Sequence, residues 1–398
     1  MTVVQLFEEN YLDKRIPDQE FKERAQKVRQ ALDEAGLEVG IAYATEHMPG
    51  DVQYLTGYDP HLENVALLVT PDRIIALGGA EGGKMFEDGV RFGEWRNLTL
   101  FEIPFQDYGD TKFWTLPEIL SDVLGTIPRK IGLLSASNVI SAEMIDLIGA
   151  DRTSVELRDV SHILAQARYE KSPAELEMYR IASGIATKAM RVLLENLRPG
   201  LRELEVAAEA DRVMKKSGAY SYGFDTMVCS GPRINTIIGR STNRVIREGE
   251  LVMLGVSPRY EGYTSALGRT VVAGRASTEQ REFLDHGIEG YERAAKEFRV
   301  NGPAKAVDAA ARRYLTSVGL GRYHTYGVGH GIGFTECLEG KTATSSSDYQ
   351  LPCGMAMMLD VGLFGVPKYF GARHENPHMI DHDGDAHVLT DLEMKVYP

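Results

Sequence analysis

Cysteine is scarce in this chain: three in 398 residues, Cys229, Cys337 and Cys353, odd in number and widely spaced. That excludes a disulfide framework and a zinc ribbon, and fits a reducing compartment. Basic charge is in deficit, with 44 Lys and Arg against 57 Asp and Glu and a net charge of −13. Nucleic acid and anionic membrane surfaces are therefore not expected as partners. No window approaches the ~20 apolar residues that a membrane span needs. The first residues, "MTVVQLFEENYLDKRIPDQE", lack the basic start and apolar run of a signal peptide, so a cytoplasmic location is expected. Low-complexity tracts and short-period repeats are missing as well.

What is present reads as an ordinary globular composition, 43% hydrophobic and 25% charged, in a chain longer than one hydrophobic core usually serves. Between Asp18 and Gly36, "DQEFKERAQKVRQALDEAG" puts Phe21, Ala25, Val28 and Leu32 on one helical stripe and stops at a glycine. "LEVGIAYAT" reads as a strand, "NVALLVTPDRIIALGG" as two strands around a Pro-Asp turn, "RKIGLLSA" as another strand and "SAEMIDLIGAD" as a short helix. Strands alternating with helices predict an α/β domain over residues 1–165.

A second domain, 166–398, is announced by "SPAELEMYR", with Ser172 as N-cap, Pro173 at the first helical position and Glu175 completing a capping box. That helix runs to Leu197, and "ELEVAAEADRVMKKSG" adds another. Strand-like runs then dominate: "RVIREGELVMLGVS", "GYTSALGRTVVAG", "MAMMLDVGLFG" and "HMIDHD". Two further helices, in "STEQREFLDHGIEGYERAAKEF" and "PAKAVDAAARRYLTSVG", interrupt them. Helix-then-hairpin halves predict a curved antiparallel sheet backed by helices, an α+β domain.

Five stretches taken together, "VQYLTGYDP", "REGELVMLG", "GYTSALGRTVVAG", "GVGHGIGFTECLEG" and "CGMAMMLDVG", resemble the creatinase, prolidase and methionine aminopeptidase superfamily (M24). The resemblance covers essentially the whole chain and implies the pita-bread fold for the second domain, preceded by a creatinase-like α/β domain. In the metallopeptidases, two aspartates, one histidine and two acidic residues hold a metal pair. The matching positions here are Gly255, Ala266, His330, Asp360 and Glu375. With both aspartates gone, the resemblance implies a site with no metal and no cofactor. Among metal-free members, creatinase is close in "GYTSALGRT", but Gly268 stands where its pattern has glutamate; the ectoine hydrolases are similar in "GVGHGIGFTECLEG".

A cationic amidine carries its own electron deficiency, so carboxylates can clamp it where metal ions would otherwise sit. The expected activity is therefore metal-independent hydrolysis of a C–N bond in a small cyclic amidine, namely the ring opening of ectoine to N-acetyl-2,4-diaminobutyrate. Alternatives are a creatinase-like amidinohydrolase, an Xaa-Pro peptidase-like enzyme, and a non-catalytic binding module. His330 is the expected general acid/base, because imidazole titrates near neutrality. Glu261, at the tip of the hairpin, is a candidate nucleophile, and otherwise a solvated turn charge. Asp360 and Glu375 are expected to point into the cavity as cation ligands or bases, and otherwise to pair with an arginine such as Arg373 or Arg269. Tyr260, Tyr263 and Phe334 are candidates for an aromatic wall and Glu336 for a pocket-lining acid. Arg240, Arg244 and Arg269 are open choices for a substrate carboxylate. The family resemblance also implies a homodimer.

Overall fold

In a computed structural model, which describes residues 11–149, 155–337 and 339–397, the chain forms two units. One comprises residues 16–168; the other joins the stretch up to Arg15 to the chain from Tyr169 onward.

The first unit is a mixed sheet of six strands: β1 (Val39–Ala44), β2 (Val65–Val69), β3 (Ile74–Gly78), β4 (Glu94–Asn97), β5 (Lys130–Leu133) and β6 (Glu156–Asp159). Their order is β4-β3-β2-β1-β5-β6, with β2 and β3 paired across the Pro71-Asp72 turn. Strands β1, β2 and β3 are buried throughout, which is why they read as continuous apolar runs and not as an alternation. Helix α1 (Asp18–Glu34) buries Phe21, Ala25, Val28 and Leu32, the stripe its spacing predicts. Helices α2 (Gly50–Thr56), α3 (Ala80–Gly89), α4 (Leu116–Leu124), α5 (Ala142–Ile148) and α6 (His162–Tyr169) complete the α/β pattern. Part of the predicted helix "SAEMIDLIGAD", from Ala150 on, lies outside the described residues.

The second unit opens with α7 (Pro173–Asn196), where Ser172 and Glu175 form the anticipated capping box, and continues with α8 (Glu203–Lys216). The strands that follow are β7 (Ser221–Tyr222), β8 (Met227–Ser230), β9 (Leu251–Val256), β10 (Pro258–Tyr260), β11 (Tyr263–Thr264) and β12 (Leu267–Val272). After α9 (Thr278–Glu297) and α10 (Ala304–Ser317) come β13 (Gly329–Gly331), β14 (Thr342–Ala343), β15 (Met355–Val366), β16 (Phe370–Ile380) and β17 (Ala386–Val388). The main sheet runs β14-β13-β15-β16-β12-β9-β8, with β17 also on β16, and its described pairings are all antiparallel. This is the pita-bread architecture, and β7, β10 and β11 form a small sheet beside it.

Register decides which residues meet. Asp360 pairs with Glu375 and Gly362 with Arg373, while His330 lies opposite Met358, Gly268 opposite Glu375 and Gly255 opposite Gly268. Because side chains alternate along a strand, these residues share one face. The other face, with Met357, Leu359, Val361 and Leu363, packs on α9 and α10 through Leu284, Tyr291, Val307 and Leu315. Helix α7 closes part of the first face, where Leu176 and Tyr179 cluster with Ala266, Ile332 and Met358.

Glu203, at the start of α8, anchors the segment that enters this sheet. It is fully buried and accepts hydrogen bonds from the Ser230 and Thr242 backbone N–H groups, both of their hydroxyls, and Arg233 Nη1 at 2.7 Å. Deleting that carboxylate strands several donors at once. Glu203→Ala is expected to lower unfolding free energy by about 3 kcal/mol, read from the midpoint shift in urea, whereas Glu205→Ala, on the exposed turn, should change it little.

Candidate functional site

His330 stands between two glycines on β13 because the neighbouring chain runs too close for a side chain. A Cβ at Gly331 would lie 1.8 Å from the Glu339 carbonyl oxygen, and one at Gly329 2.6 Å from the Ala343 methyl. The imidazole Nε2 lies 3.7 Å from Glu336 Oε1 and 3.8 Å from Glu375 Oε1. All three donor atoms lie within 4.8 Å of one another. The His330 side chain keeps 19% of its exposure, against 9% for Glu336 and 1% for Glu375, so the cluster opens outward along the imidazole.

Beside it stands a second buried group. Arg373 Nη2 is 2.9 Å from Asp360 Oδ2, and the Tyr326 hydroxyl donates to the same oxygen at 2.7 Å. Gly362 makes this contact possible, since a Cβ there would lie 2.1 Å from the Tyr326 hydroxyl. Several buried atoms have no hydrogen-bond partner: both Glu375 carboxylate oxygens, Asp360 Oδ1, and Nε and Nη1 of Arg373. Buried polar atoms without a hydrogen bond are costly, so a set of them on one sheet face marks a place built for a ligand.

The charges act on one another. Burial pushes the His330 imidazole down, but the Glu336 and Glu375 carboxylates outweigh it and lift it to about 9. Burial raises the Glu336 carboxyl against the pull of His330, and raises that of Asp360 against Arg373. For Glu375 burial also acts upward, yet Arg373 and His330 overcome it and hold the group low. On the opposite sheet face His374 and His378 are pushed down to about 3 by burial, so both are neutral and take no part in this charge cluster.

The residues singled out from sequence separate into two groups. His330, Asp360, Glu375 and Glu336 come together, while Glu261 does not. It sits with Gly262 in the two-residue turn joining β10 to β11, exposed and at positive φ, 47° and 87° for the pair. Tyr260 directs its hydroxyl to the carbonyls of Tyr11 and Lys14. Tyr263 donates to Glu175 Oε1 at 2.7 Å and packs on Phe334 with ring centroids 4.6 Å apart. Of the arginines considered for a substrate carboxylate, Arg240 pairs with Asp225 and Arg244 with Glu250. Arg269 is buried, with Nη1 and Nη2 spent on the carbonyls of Gly268, Glu375 and Leu392 and on Asn376. Tyr326 was not anticipated. Its signal would have been the glycine at 362, a residue without a side chain beside Asp360.

Comparison with known proteins gives the family. The family model described as "Metallopeptidase family M24" matches residues 177–382. The chain belongs to metallopeptidase family M24. An uncharacterized peptidase of Staphylococcus aureus is 30% identical over 351 residues, 87% of this chain and 93% of that protein. An Xaa-Pro dipeptidase of Pyrococcus furiosus is 28% identical over 380 residues, 94% of this chain and 99% of that protein. The crystal structure of the prolidase from Pyrococcus horikoshii OT3 superimposes with a TM-score of 0.80 at 24% identity, over 94% of this chain and all of that one, a likeness of fold.

These findings overturn the expectation of a metal-free ectoine hydrolase, and with it ectoine degradation and metal independence. The relatives named above are an Xaa-Pro dipeptidase, a peptidase and a prolidase, and three side chains able to ligate a metal still converge here. The physical reason lies off the sheet: Glu336, on the loop after β13, brings a further carboxylate to His330 and Glu375. The loss of donors at Gly255 and Ala266 therefore still leaves three side chains that could hold a cation. One imidazole and two carboxylates, with both Glu375 oxygens unpartnered, fit a divalent ion of the first transition row.

Cation binding at this site should be linked to proton release. With the His330 imidazole lifted to about 9, the ion-free protein holds it protonated at pH 7, and coordination requires it neutral. Affinity for Mn²⁺ should rise with pH, with about one proton released near pH 7 and fewer as pH passes 9. Calorimetric titration in two buffers of different ionisation enthalpy measures this, and binding with no proton released at pH 7 would contradict it.

Proposed function

We propose that this chain is a divalent-cation-dependent peptidase that cleaves the peptide bond of small peptides, foremost dipeptides with proline in second position. The observation that carries the reading is the buried His330, Glu336 and Glu375 donor set in an M24 chain whose likeness to an Xaa-Pro dipeptidase runs nearly end to end. A divalent ion held there would polarise the scissile carbonyl and acidify water.

The remaining groups supply binding and proton handling. Asp360 is fixed through Oδ2 by Tyr326 and Arg373, which leaves Oδ1 to take a proton from the attacking water. As the water oxygen bonds to the carbonyl carbon and the C–N bond breaks, that proton passes to the leaving nitrogen. Arg373 offers Nε and Nη1, both unpartnered, to an oxygen of the substrate, and the fixed guanidinium suits a carboxylate or carbonyl. His330 serves as a neutral ligand in this scheme and Glu261 has no assigned step. Acidic composition and few cysteines support a cytoplasmic enzyme, and the family resemblance supports a homodimer.

The test is hydrolysis of a dipeptide panel, Xaa-Pro against Xaa-Gly, by protein loaded with Mn²⁺, Co²⁺ or Zn²⁺. Cleavage of Xaa-Pro that disappears on chelation is expected, and Glu375→Gln should lower kcat/KM by roughly a hundredfold or more. Failure to cleave any dipeptide under every metal would sink the proposal.

A further inference from the structure

Asp360 lies directly across the β15–β16 pair from Glu375, yet it is not among the three donors that converge. Its Oδ2 is 2.9 Å from Arg373 Nη2, inside a site where Arg373 keeps 4% of its side-chain exposure and Asp360 1%. Glycine makes room for both side chains: a Cβ at Gly268 would lie 3.0 Å from Arg373 Cδ and 2.8 Å from Glu375 Oε2. Further along the same face the space is apolar. A Cβ at Gly255 would meet the Met227 methyl at 2.7 Å and the Phe224 ring at 3.4 Å. Neither Gly255 nor Ala266 offers a donor atom.

Charge balance makes the same point. The cluster holds three carboxylates, Glu336, Asp360 and Glu375, and one guanidinium, Arg373. With Arg373 seated against Asp360, one divalent ion is enough to balance Glu336 and Glu375. A further divalent ion would leave a surplus of positive charge in a buried site, where like charges repel strongly.

We propose that Arg373 is a built-in monovalent cation that occupies Asp360 and so limits this centre to one divalent ion per chain, held by His330, Glu336 and Glu375. The inference rests on the cation-dependent reading of the site but not on which bond is cleaved.

The test is Mn²⁺ titration of the full-length protein, read by calorimetry and by electron paramagnetic resonance. Wild type should bind one tight equivalent with the spectrum of an isolated ion. Arg373→Lys, which keeps the positive charge, should also bind one. Arg373→Met removes the charge and frees Asp360 beside Glu375. It should bind Mn²⁺ at least tenfold more tightly, or take a further equivalent with a spin-coupled spectrum. Two tight equivalents in wild type would overturn the proposal, as would a folded Arg373→Met protein whose binding matches Arg373→Lys. Should Arg373→Met fail to fold, the wild-type stoichiometry and spectrum decide. A protein that binds one ion and cleaves no dipeptide would refute the peptidase reading and leave this inference standing.

Discussion

Everything at the site depends on the burial of several formal charges on one sheet face, and on the Arg373–Asp360 pair that makes it tolerable. Taking a carboxylate out of water costs several kcal/mol even after relaxation, so a face holding Glu336, Asp360 and Glu375 needs compensation. Arg373 and the Tyr326 hydroxyl provide it for Asp360. Among the described residues Glu375 receives no hydrogen bond of ordinary length, although His330 at 3.8 Å and Arg373 hold its carboxyl low. The imbalance that remains is negative, which suits a cation-binding site. The rise of the His330 imidazole to about 9 and the Glu375 oxygens left without hydrogen bonds have one cause: acids placed together with too little positive charge between them.

The rest of the second unit is arranged to hold that face steady. The apolar face of the sheet packs on α9 and α10, so β15 and β16 cannot slip register without exposing Met357, Leu359 and Val361. Behind Glu375, Arg269 ties the backbone carbonyls of Gly268 and Glu375 to Asn376, and Tyr291 receives a hydrogen bond from Asn376 and meets His378. A buried network of this kind is rigid because every displacement breaks a bond that water cannot replace. Glu203 does the same for the segment around Ser230 and Thr242.

Much of the fold was legible in the chain. The capping box at Ser172 and Glu175, the stripe on α1 and the Pro71-Asp72 turn depend on neighbours in sequence, and each is found where local chemistry puts it. The short helices α2, α3, α4 and α6 are not among the elements the sequence predicts, because seven to ten residues carry few turns of periodicity, whereas α5, equally short, is marked by its Ser141 N-cap. His330, Asp360 and Glu375 were legible as inward-facing residues through the family resemblance. Their partners were less so: Glu336 was a candidate pocket-lining acid with no partner named for it, and Arg269 and Arg373 looked equivalent.

The sequence by itself determined an α/β part followed by an α+β part, since helical stripes, caps and apolar runs are local signals, and the family resemblance of five stretches marked the second as pita-bread. It also determined that Gly255 and Ala266 carry no donor atoms. Only the tertiary structure decided what remains of the centre, because the distance from Glu336 to His330 is set by a loop returning over the sheet and not by spacing along the chain. The same is true of Arg373. Strand register turns its guanidinium toward Asp360, whereas Arg269 is spent on backbone carbonyls, and no property of either residue type distinguishes the two.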